Sequence, residues 1–138
     1  MRTLEPLEED TGPESCPGYL GQIDEGEFSG LNDVLKPLET INWADYADSI
    51  AEDAIWLNVG GVGRVEIIPT SSVGDVLDQI PSLDVRREPE YGYEIFFLRD
   101  DHSLENVAGE IAALVAAVRR DFYERTTTSL AERTRSNL

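Results

Sequence analysis

From Leu104 to Phe122 apolar residues return every three or four positions: Leu104, Val107, Ala108, Ile111, Leu114, Val115, Val118 and Phe122. That is the period of an α-helix with one face to bury. Ser103 is placed to cap it, and Glu105 stands in its first turn. Arg119 and Arg120 stand near its far end, where cations suit the helix dipole. The spacing predicts a helix to about Glu124. A stripe this long needs a surface to lie on, and in a chain of 138 residues the preceding segment must supply it.

That segment reads as short strands and short helices. Ala54 to Val59 and Val62 to Pro69 are rich in β-branched and aromatic residues and flank Gly60-Gly61, a two-residue hairpin turn of type I′. Leu83 to Glu88 alternates apolar with charged residues. Tyr93 to Arg99 contains Ile95-Phe96-Phe97-Leu98, apolar on both faces as a central strand requires, and the turn Glu90-Tyr91-Gly92 joins these two. Between the hairpins, Ser71 or Ser72 opens a helix carrying Val73, Val76, Leu77 and Ile80, which Pro81 ends. Ahead of them lies helical spacing from Leu31 that Pro37 interrupts. Asn42 then caps a helix from Trp43 to Ala51. The order α-β-β-α-β-β-α implies an α+β domain: an antiparallel sheet of about four strands, in two hairpins, with the long C-terminal helix on one face.

Residues 29–125 hold that domain. Residues 126–138 form a polar tail expected to fray. Residues 1–28 read as a flexible acidic arm, short of apolar residues and interrupted by Pro6, Pro13 and Pro17, although Tyr19, Leu20, Ile23 and Phe28 offer it anchors.

The arm carries much of an unusual charge. The whole chain has 28 acids against 11 bases, a formal net of −17, and residues 1–53 alone hold 14 acids and 2 bases. Such a balance repels nucleic acid and anionic membranes. With one lysine, Lys36, against ten arginines, the composition resembles proteins of salt-accumulating cells, whose dense carboxylates keep the surface hydrated. A lone Cys16 gives neither an internal disulfide nor a cysteine-based zinc site. No run approaches the roughly 18 apolar residues of a membrane span. A cytoplasmic protein is the expectation.

Motifs of catalysis are sparse. The glycines of Asn58-Val59-Gly60-Gly61-Val62-Gly63-Arg64 precede an alternating strand and no helix, so they build a turn and cradle no phosphate. Asp100-Asp101-His102 joins two carboxylates to the sole histidine, but acids are also favoured just before a helix. Paired acids such as Asp45/Asp48 arise by chance in so acidic a chain. No catalytic residue, metal site or cofactor is expected.

One feature is less ordinary. Beside its aliphatic stripe the C-terminal helix has a second face of Gly109, Ala112, Ala113, Ala116 and Ala117, where another backbone could approach closely. Its neighbour would be the Trp43–Ala51 helix or a second copy of the chain. These features suggest a non-catalytic protein-binding regulator, adaptor or chaperone-like domain, homodimeric and serving a further protein, from a high-salt-adapted cell. An alternative is a small-molecule sensor or enzyme with a pocket between sheet and C-terminal helix, using Tyr93, Arg99, Asp101 and His102. Another is an acidic DNA-mimic inhibitor.

Overall fold

A computed structural model describes residues 16–24, 27–29, 32–88 and 93–136. The chain is an α+β domain with antiparallel sheets and a long C-terminal helix packed against them. Its strands are β1 (Tyr19–Asp24), β2 (Glu27–Ser29), β3 (Ile55–Val59), β4 (Gly63–Ile67), β5 (Leu83–Glu88) and β6 (Tyr93–Leu98). Its helices are α1 (Trp43–Asp48), α2 (Val73–Leu77) and α3 (Leu104–Ser136), with a 3₁₀ turn over Lys36–Thr40. Leu31, the Glu90-Tyr91-Gly92 turn and residues 1–15 of the arm lie outside the described residues.

Both expected hairpins form, β3 with β4 and β5 with β6, but they do not share one sheet. The four-stranded sheet runs β2-β1-β6-β5, and β3-β4 is a separate two-stranded ribbon. The doubly apolar β6 is central, as its sequence demands. Its second partner is β1, from the segment read as an arm. Leu20 and Ile23 are buried there, and Phe28 in β2 stands opposite Ile23. Pairing supplies what local composition lacks: β1 gains a ladder to β6 with a register shift between Tyr19 and Gly21.

Caps follow local chemistry. The Asn42 side chain accepts from the Asp45 N–H at 3.2 Å to open α1. Ser72 and Asp75 exchange side-chain-to-backbone bonds in a full capping box at α2. Pro37 sits in the first turn of the 3₁₀ segment, where its missing N–H costs nothing. At α3, Ser103 Oγ accepts from the Asn106 N–H and Asn106 Oδ1 accepts from the Ser103 N–H. The helix backbone continues beyond Glu124 through Ser136, while 137–138 lie outside the description.

The β3–β4 loop corrects the turn assignment. Val59 pairs with Gly63, so the loop holds Gly60, Gly61 and Val62. The Val62 N–H donates to the Val59 carbonyl at 3.0 Å. Positive φ falls at Gly61 (79°) and Gly63 (112°) and not at Gly60, so no type I′ turn forms.

One apolar cluster joins all layers, from Leu20 and Phe96 in the sheet through Val65 and Ile67 in the ribbon to Val107, Ile111, Leu114 and Val118 of α3. Each of those four α3 residues is fully buried, which favours the fold by roughly 1.5–3 kcal/mol apiece.

Candidate functional site

Three polar clusters and one groove are candidates for chemistry. The first cluster is buried. Ser82, just before β5, gives its N–H to Glu110 Oε1 at 3.1 Å and its hydroxyl proton to Oε2 at 2.8 Å. With that proton committed, the 2.8 Å contact to His102 Nδ1 requires the histidine nitrogen to donate to Ser82 Oγ. Serine, histidine and acid therefore meet, but in the wrong order for nucleophilic catalysis, which places the histidine between the other two. Ser82 is also 0 % exposed, so its hydroxyl cannot meet a substrate. The trio pins the β6–α3 turn and the start of β5 to the helix.

The second cluster centres on Arg87 of β5. Its guanidinium contacts Asp75 at 2.9 Å, Asp78 at 3.2 Å and Glu94 at 2.9 Å. Burial pushes the Glu94 carboxyl above its usual range, outweighing the pull of Arg87, and nearby Asp75 and Asp78 add to the rise. Glu94 packs against Gly74 in α2, where any side chain would collide with it. An Arg87→Met variant should lose about 1 kcal/mol near neutral pH, because a half-buried carboxylate is left among acids. The raised Glu94 carboxyl takes up a proton first on acidification, so that loss should shrink as pH falls. Urea midpoints of both proteins across pH 4–7 would read it, and a pH-independent difference would contradict it.

The third cluster hangs on Tyr46 of α1, whose hydroxyl donates to Asp121 Oδ2 at 2.8 Å. Arg125 Nε reaches the same oxygen at 2.7 Å, and its Nη2 lies 3.6 Å from Glu52. Each group has its partner within the fold, so this cluster too is a fastening.

The groove is different. It lies between β3 and α3 and encloses about 380 Å³. Trp56, Leu57, Asn58 and Gly60 form one wall; Ala113, Ala116, Ala117 and Arg120 form the other, with Asp121 and Glu124 at one end. The neighbour against the small-residue face is thus the β3–β4 ribbon rather than the Trp43–Ala51 helix. A methyl on Gly60 would stand 4.0 Å from that of Ala113. Gly109, Ala112 and Ala116 remain exposed.

Backbone geometry leaves hydrogen-bonding groups of this wall pointing outward. On β4, the Glu66 N–H donates to Gln79 Oε1 at 3.0 Å, and the Glu66 carbonyl accepts from Gln79 Nε2 at 2.8 Å. Both Glu66 groups therefore point away from β3. In an antiparallel pair the facing residue must then point its own groups outward too. That residue is Trp56, and the alternation repeats at Asn58, opposite Arg64. Gln79 occupies both outward groups of Glu66 on the outer edge of β4. Among the described residues nothing pairs with the outer edge of β3.

No family model, curated protein or solved structure matches this chain.

The residues singled out as an alternative pocket are not gathered in one cavity. Tyr93 begins β6, roughly 17 Å along the strand from its other end. At that other end Arg99 bonds the carbonyls of Pro81 and Leu83 at 3.1 and 2.8 Å, and His102 is held by Ser82. Asp101 is exposed with φ 68°. Among the described residues no group of three His, Cys, Asp or Glu side chains is placed to hold a metal, and no helix is long and apolar enough to cross a membrane. Sequence reasoning found the alanine wall but missed Trp56, Asn58 and Gln79. Strand alternation places Trp56 and Asn58 on one face, but only the register tells which edge is open.

Proposed function

We propose that this chain is a non-catalytic protein-binding domain that takes an extended segment of its partner as an added strand beside β3. The observation that supports this most directly is the open β3 edge facing a groove walled by small residues. Main-chain groups of Trp56 and Asn58 supply the hydrogen bonds of strand addition, and the alanine wall leaves room for the incoming side chains. The edge also lacks the usual protections. Ile55-Trp56-Leu57-Asn58-Val59 holds no charge and no proline, in a chain whose other surfaces are full of acid. A regulator or adaptor in the cytoplasm of a high-salt-adapted cell fits this behaviour, its acids keeping the remaining surface hydrated.

Asn58→Pro tests the reading with little disturbance of the ribbon. It deletes an N–H that points away from β4, the one strand position that tolerates proline. Displayed random decapeptides selected on the wild type should bind the variant at least about tenfold more weakly, while its far-UV circular dichroism is unchanged. Equal binding to both proteins would remove β3 from the site.

A further inference from the structure

We propose that the segment filling the β3 edge is β3 of a second copy, paired antiparallel about a two-fold axis beside Leu57. This rests on the strand-addition reading and gives it an occupant. The outward groups belong to Trp56 and Asn58, one residue on either side of Leu57. A two-fold axis at Leu57 sets Trp56 opposite Asn58 of the second copy, and the reverse, so all four outward N–H and C=O groups of each pair of residues are satisfied by their own kind. Any other extended segment could bond these groups, but three further features favour a copy.

Charge is the first. The ribbon register places Glu66 beside Trp56 and Arg64 beside Asn58. Each row across the four-stranded product would run Glu66, Trp56, then Asn58 and Arg64 of the second copy, with acid at one end and base at the other. No like charges stand opposite one another.

The second is Trp56, which is 51 % exposed, with the Arg64 guanidinium 4.7 Å from its ring centroid. In this register the two Trp56 side chains become diagonal neighbours on the outer face, about 7–8 Å apart and within reach of each other. An exposed tryptophan on a strand edge thereby acquires a partner. The helix wall follows the same symmetry: it is small at Ala113 and Ala117 and long at Arg120 and Glu124, so an antiparallel copy sets long side chains over small ones.

The third is closure. A two-fold pair uses up the β3 edge of both copies, and on β4 Gln79 already occupies both outward groups of Glu66, so strand addition there meets an obstacle that β3 lacks.

Light scattering on the eluting peak is the test, at 0.1 M and 2 M salt, with circular dichroism in the indole region. The wild type should show twice the 15.3 kDa chain mass and an exciton couplet from the paired indoles, absent in Trp56→Phe. Because each copy carries −17, salt should tighten the dimer and not loosen it. Asn58→Pro and, independently, Trp56→Lys should each weaken it by about tenfold or more; the second keeps every backbone donor and sets like charges side by side. A monomer at both salts, or a dimer indifferent to both variants, would overturn the inference. If that monomer still binds displayed peptides through Asn58, strand addition survives with a different occupant. If it binds none, both proposals fall together.

Discussion

Glu110→Ala is expected to lower the stability of this domain by roughly 3 kcal/mol, more than any surface change should. Two bonds to Ser82 end on the Glu110 carboxyl group, at 3.1 Å from the N–H and 2.8 Å from the hydroxyl. Ser82 is 0 % and Glu110 9 % exposed, so water cannot replace the lost acceptors without entering the core. An orphaned buried donor costs about 1–3 kcal/mol, and here there are two. The serine hydroxyl can turn back toward His102, which is why the expected loss lies below the sum of two full penalties. Urea denaturation at neutral pH would measure it. Ser82→Ala should cost less, since the hydroxyl leaves with its need for a partner. In the double variant the two losses should fall short of additive by about 1 kcal/mol, as bonded neighbours do. A loss under about 1 kcal/mol for Glu110→Ala would mean that the trio is not a fastening, and would reopen a chemical role for Ser82 and His102.

How far that trio was legible shows where local pattern ends. Val107, Ile111, Leu114 and Val118 announce α3 because their period is local, and the same holds for the caps at Asn42 and Ser72. β6 could be recognised as central from Ile95-Phe96-Phe97 alone. β1 could not, since its ladder joins Tyr19 to Phe97 across most of the chain and its neighbours in sequence are glycine, proline and acid. The Ser82–Glu110 bonds span 28 residues. A weak signal for them did exist: Glu110 interrupts the apolar stripe between Val107 and Ile111, and an acid on a buried face needs a buried donor. The groove stands between these cases. Its alanine wall is written in consecutive helical turns. Its strand wall depends on which edge Gln79 covers, and a loop of three residues where two were expected changes the register that decides it.

Tyr46 carries the other large effect, and its sign depends on pH. Its ring is fully buried, packed edge-on against Trp43 at 5.4 Å and Phe122 at 5.6 Å between centroids. Tyr46→Ala should therefore cost about 3–5 kcal/mol. Tyr46→Phe isolates the hydroxyl. It should cost about 1 kcal/mol at pH 8, because Asp121 keeps its bond from Arg125 at 2.7 Å. Burial pushes the Tyr46 phenol far above its ordinary value near 10, the bond and the charge of Asp121 push the same way, and Arg125 opposes them only in part. The folded chain thus holds a proton that the unfolded chain releases. For a group raised in this way, the stabilising contribution is whole below pH about 10 and drains away as pH climbs beyond it. The phenylalanine variant has no such proton to lose. Its deficit relative to the wild type should hold steady from pH 8 to 9.5, then close above pH 10 by about 1.4 kcal/mol for each further pH unit. Urea midpoints of the two proteins at half-unit steps from pH 8 to 11 would trace the closure. Parallel curves over that whole span would show that the phenol ionises in the folded state, and that the link from α1 to Asp121 is looser than a 2.8 Å bond from a buried phenol.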